Sequence, residues 1–168
     1  HTFIGFAISP DGRWMVGTTE LTASLFVFDL SREPDMTPVD TIPVNAAPWH
    51  PAFTPDGRWV YVGNNWDNTV NVIDMETRML AKVIEGDGLA QPHGAAVSPD
   101  GRFAYISSRN LEMPEGHSKY GHMYTPRYDL GDNARAGTVV VIETETQSIV
   151  KIIEIEGYGA GLGAPTRN

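Results

Sequence analysis

The sequence predicts an all-β protein assembled from a repeated four-stranded antiparallel unit, and three observations carry that reading. One turn occurs three times, as Ser9-Pro10-Asp11-Gly12-Arg13, Thr54-Pro55-Asp56-Gly57-Arg58 and Ser98-Pro99-Asp100-Gly101-Arg102. The copies are evenly spaced, 45 residues from Pro10 to Pro55 and 44 from Pro55 to Pro99. Each copy sits between short, apolar, β-prone runs. Proline presets φ at the first central position of such a turn, aspartate bonds back to the backbone beyond it, and glycine accepts a positive φ. A period of this length is that of one propeller blade. The fold class is therefore a β-propeller fragment of about three four-stranded blades. Closed propellers take four to eight blades and three would leave two sheet faces bare, so the chain is expected to be part of a ring of about seven.

In chain order, Phe3–Ile8 and Trp14–Thr18 flank the first turn as a hairpin, Leu25–Asp29 is a third strand, and Val39–Val44 is a fourth whose Pro43 suits an outer edge. The second repeat copies this with Trp49–Phe53, Trp59–Gly63, Thr69–Asp74 and Met79–Ile84. Asp29 and Asp74 each follow their turn proline by 19 residues, so register is held through the third strand. In the third repeat, His93–Val97 and Phe103–Ser107 are followed only much later by Thr138–Glu143 and Ile149–Ile155. Glu143 follows Pro99 by 44 residues, an excess of 25 that places an insertion at about 109–136. The expected blades are thus 1–45, 46–90 and 91–156, with the start of a fourth at 157–168. Trp14, Trp59 and Phe103 share one repeat position and are expected to pack between blades, Trp59 mostly buried. Asp29, Asp74 and Glu143 are expected to cap the turn after the third strand.

Composition bounds the function. Among 168 residues, 41% hydrophobic, the formal net charge is -9 with no basic run, which argues against a nucleic-acid partner. Cysteine is absent, which excludes disulfides and thiolate chemistry, and no apolar run is long enough to span a membrane. The first residue is His1, and the chain is read as a processed protein or a piece of a longer one. The glycines at 157, 159, 161 and 163 lack the Lys-Ser/Thr of a phosphate loop and are read as small residues on an inner strand.

The runs Pro92–Ile106, Trp59–Asn65 and Asn68–Asp74 resemble the YVTN family of β-propeller repeats. The resemblance covers all three repeats apart from the insertion. It implies a superfamily of secreted and cell-surface binding proteins, 6-phosphogluconolactonase-like enzymes, and periplasmic propellers that carry haem d1 or support quinone cofactors. It thereby implies a periplasmic or extracellular location. A fold so widely used does not name an activity, and no cofactor follows from the residues themselves.

Topology says more. In a four-stranded meander the second-to-third connections and the blade-to-blade connections open on one face, and the Pro-Asp-Gly turns open on the other. All five histidines, His1, His50, His93, His117 and His122, fall on the first of these faces, where innermost strands begin at the channel mouth. The insertion adds Tyr124 and Arg127, residue types that anchor ligands and interfaces. The expected ligand site is accordingly His50, His93, His117, His122, Tyr124 and Arg127, with His93, His117 and His122 as candidate metal ligands. The alternative is a solvated polar rim with imidazoles pointing outward. Function divides into a non-catalytic recognition scaffold for a protein, peptide or glycan, and an oxidoreductase or lactonase-like enzyme on the same face.

Overall fold

The structure, a computed structural model, describes residues 2–109, 137–155, 159, 161 and 162. Among the described residues, twelve strands form three antiparallel sheets of four. The first contains β1 (Phe3–Ile8), β2 (Trp14–Thr19), β3 (Ser24–Asp29) and β4 (Asp40–Pro43), in that order. The second contains β5 (Pro48–Phe53), β6 (Trp59–Asn64), β7 (Thr69–Asp74) and β8 (Met79–Ile84), and the third β9 (Pro92–Val97), β10 (Phe103–Ser108), β11 (Gly137–Glu143) and β12 (Ser148–Ile155). Apart from one 3-10 turn at Leu30–Arg32, the described residues hold no helix. Pro43 lies on the edge strand β4, where its missing N–H disturbs no inner ladder. Across the 25-residue excess, β10 and β11 pair without slippage from Phe103 opposite Glu143 to Ser108 opposite Thr138.

The repeated turns are one device used three times. In the first, the N–H of Gly12 donates to Ser9 O at 2.8 Å, that of Trp14 to Ser9 Oγ at 2.8 Å, and that of Arg13 to Asp11 Oδ1 at 3.0 Å. Thr54 and Asp56, then Ser98 and Asp100, repeat these bonds. Gly12, Gly57 and Gly101 have φ of 72°, 73° and 76°, which any side chain would strain. At the far end of the third strand Asp29 Oδ1 accepts from Ser31 N at 3.1 Å and Asp74 Oδ1 from Glu76 N at 2.8 Å, the expected caps.

Two cores lie between sheets. Val16, Leu25, Val27 and Ile42 of the first meet Val60 and Ile73 of the second. Tyr61, Val70, Val72 and Ile84 of the second meet Val97, Ala104, Ile106, Val140 and Ile142 of the third. Strand alternation puts Phe26 and Phe28 on the opposite face of the first sheet, where Phe3 touches both with centroids 5.6 and 6.1 Å apart and Phe6 at 5.0 Å. Phe6 and Ile8 there are 53% and 57% exposed, so this face carries apolar surface that none of the described residues covers. Trp59 meets the expectation: it is mostly covered, packed on the second core with Arg58 4.6 Å over its ring, and its remaining surface borders a cavity.

The turn aspartates link stability to pH. Hydroxyl donation from Ser9 and Ser98, then the N–H of Arg13 and Arg102, holds Asp11 and Asp100 below the ordinary carboxylate value. For Asp56 burial pushes the other way, but the Thr54 hydroxyl and Arg58 N–H prevail and its value is also lowered. Folded values below unfolded ones mean that this contribution is complete above about pH 3.9 and is lost as pH falls through the lower folded values. The urea midpoint of the full-length protein should therefore drop between about pH 4 and pH 2, and Asn at positions 11, 56 and 100 together should flatten that drop. An equally steep acid limb in the triple variant refutes the linkage.

Candidate functional site at the channel mouth

Each innermost strand is bulged where it reaches the channel mouth. On β5, Trp49 and His50 together oppose the single residue between Val62 and Asn64 of β6, which is Gly63. On β9, His93 and Gly94 together oppose Ser107 of β10, and β1 shows the same irregularity between Phe3 and Gly5. A bulge twists the strand and re-aims the side chains it carries. Here it turns adjacent residues toward one place.

Hydrogen bonds from the preceding sheet fix those bulges. Thr18 Oγ1 donates to Trp49 O at 2.6 Å, and Asn65 Nδ2 donates to Pro92 O at 3.1 Å, one residue before His93. Gln91 N donates to Asn68 Oδ1 at 2.7 Å. Buried amide and hydroxyl groups satisfied in this way hold strand ends rigidly.

The result is a ring cluster. Trp49 and His93 occupy the same repeat position in neighbouring sheets and their ring centroids are 4.3 Å apart; His50 and His93 are 5.1 Å apart. The guanidinium of Arg109 lies 4.7 Å over the Trp49 ring. His50 stands at the repeat position that Gly5 and Gly94 hold in the flanking sheets. Its Nδ1 occupies the space of a side chain at Gly5, 2.8 Å from where a Cβ would be. On the other side Gly94 leaves room, and a cavity of about 430 Å³ opens between His50, His93, Gly94, Ala95, Gly161 and Leu162. A Cβ on Gly94 would meet Leu162 N and Ser107 Oγ at 3.0 Å, so residues 161–162 pass directly over it.

Burial, and then the charge of Arg109, pushes the His50 imidazole below its ordinary value. At neutral pH it is an uncharged acceptor and donor. His50 and His93, the two predicted site residues that the structure describes, do come together. His117, His122, Tyr124 and Arg127 lie outside the described residues, as does His1. No group of three metal-ligating side chains occurs among the described residues. Sequence reasoning missed Trp49 as a wall of the cluster, Arg109 as its cation and Gly94 as its opening; the unusual Pro48-Trp49-His50-Pro51 run was the available signal.

A family model described as lactonase, seven-bladed β-propeller, matches residues 5–148. The chain belongs to that family. Its fold is similar to that of Kuenenia stuttgartiensis hydrazine synthase, at 22% identity over 92% of this chain and 49% of that one, with a TM-score of 0.59. A putative 6-phosphogluconolactonase from Bacteroides uniformis ATCC 8492 superposes at 16% identity, 93% and 42% coverage and TM-score 0.65. The WD40 repeats of RRP9 do so at 11% identity, 95% and 42% coverage and TM-score 0.67. The chain thus spans half or less of the length of these structures, and the likenesses establish the fold. No curated protein matches the chain by sequence.

Gly5→Ala probes the seat of His50. The added methyl must displace the imidazole or the strand, and overpacking of this kind costs about 1–3 kcal/mol. Urea unfolding of the full-length protein measures it, and a loss below about 0.5 kcal/mol would show that His50 is not seated on Gly5.

Proposed function

We propose that the channel mouth binds a small oxygen-rich ring, a sugar or a sugar lactone, and that the lactone is opened there with His50 as base. The observation that carries this is the pair of imidazoles 5.1 Å apart on the wall of a 430 Å³ cavity, with His50 held neutral. A cavity of that size suits a single ring, and the imidazole faces with Ala95 and Leu162 give it apolar walls while ring nitrogens bond its hydroxyls. A neutral imidazole can take a proton from water as the water oxygen adds to the lactone carbonyl. The ring C–O bond then breaks, and the departing oxygen receives the proton as a hydroxyl group. The positive charge of Arg109 favours the oxyanion and the carboxylate product. Membership of a family described as lactonase supports this reading.

The second reading uses the same site for recognition alone. It is favoured by the YVTN-like character of the repeats, which also suggests an extracytoplasmic location, and by a glycan's likeness to the ligand above. Assay of the full-length protein with gluconolactone and its 6-phosphate decides between them. Turnover should require His50, with His50→Ala lowering kcat by about 10²–10⁴-fold. Because its folded pKa is lowered, activity should persist to below about pH 6.5 and be lost as pH falls further. Saturable binding without turnover selects the recognition scaffold; neither binding nor turnover rejects the site.

A further inference from the structure

A second cavity, of about 440 Å³, opens on the opposite face, that of the Pro-Asp-Gly turns, between the second and third sheets. Asp56, Trp59, Asp100, Thr144 and Glu145 form its wall. The preceding pair of sheets shows what such a groove holds. There the equivalent tryptophan, Trp14, is approached by two guanidinium groups: Arg13 of its own turn at 4.6 Å and Arg78 of the next sheet at 4.5 Å. Trp59 has the counterpart of the first, Arg58 at 4.6 Å. The residue standing where Arg78 stands is Gln147, in the same turn position with nearly the same backbone, φ 51° against 54°. The residue standing where the half-buried Met75 stands is the smaller Thr144. Two changes therefore open the second groove at the place where the first holds a guanidinium.

The charge around this cavity is negative. Asp100 spends Oδ1 on the Ser98 hydroxyl and its turn N–H, and Asp56, against the burial that raises it, on the Thr54 hydroxyl and its turn N–H; these bonds hold both below the ordinary carboxylate value. Glu145 adds a third carboxylate. Of the neighbouring cations, Arg58 acts on Asp56 and is paired with Asp74 at 3.7 Å, Arg102 acts on Asp100 and lies 5.2 Å over the Phe103 ring, and Lys82 donates to the carbonyls of Thr146 and Gln147 at 3.2 and 2.7 Å.

We propose that this cavity binds an alkylguanidinium group, such as an arginine side chain, flat against the indole of Trp59 and within the field of Asp56, Asp100 and Glu145. A planar cation matches both the aromatic face and the carboxylates, whereas an ammonium matches only the charge. The site is independent of the channel mouth, and its chemistry does not involve the imidazoles there.

The test is titration of the full-length protein, followed by the indole N–H resonance of Trp59, with Nα-acetyl-arginine methylamide, the corresponding lysine and citrulline compounds, and agmatine. The arginine compound should shift the Trp59 resonance saturably, the lysine compound about tenfold more weakly, and neutral citrulline not at all. Tighter binding of the blocked arginine than of agmatine assigns the site to a polypeptide partner, and the reverse order assigns it to a small free guanidine. Gln147→Arg should supply the group from within the chain and weaken binding at least tenfold, with the melting temperature unchanged or raised. Equal shifts with citrulline, no shift with any guanidine, or undiminished binding in a folded Gln147→Arg variant would overturn the proposal.

Discussion

A four-stranded sheet with apolar residues on both faces cannot stand in water alone, and every other feature of this protein follows from how those faces are covered. Val16, Leu25 and Val27 need Val60 and Ile73; Val70 and Val72 need Ala104, Ile106 and Val140. Burial of this kind is worth roughly 25 cal/mol per Å², but it is non-directional and would tolerate many sheet orientations. Direction comes from polar bonds at the channel mouth, where Thr18, Asn65 and Asn68 reach across to the next inner strand. The same bonds that orient the sheets therefore also place the residues of the candidate site.

The two ends of the sheets are built by different rules. At the Pro-Asp-Gly end, three turns share the same hydrogen bonds, and variation is confined to side chains that project from an invariant frame. At the channel mouth the frame itself varies: Gly5, His50 and Gly94 hold one repeat position, and the two glycines leave side-chain space that His50 fills at Gly5 and residues 161–162 approach at Gly94. A binding site on a repeat fold arises where one repeat departs from the others, since only there is the local environment unlike that of its copies. By this criterion the His50 cluster and the groove beside Trp59 are two such departures.

Much of the fold was legible in the sequence because its signals are local. Proline, aspartate and glycine act on their own backbone, and strand alternation needs no partner to be read. Their spacing gave the strands, the register across the 25-residue excess, and the face on which His50 and His93 lie. Trp59 was legible as a core-packing aromatic, but the groove at its remaining edge was not, because that groove depends on residues 144 and 147, both more than 80 positions away.

What the sequence determined by itself was the repeat, its four strands and the gathering of His50 and His93 at one end, all consequences of chain connectivity and backbone preference. Only the tertiary structure decided the distances. The bulges at Trp49-His50 and His93-Gly94, the tilted contact of Trp49 with His93, the placing of Arg109 over Trp49, and the depressed basicity of His50 depend on how closely neighbouring sheets approach. That approach is set by side-chain volumes contributed from separate repeats, such as the missing Cβ at Gly5 and Gly94. No pattern within a single repeat encodes it.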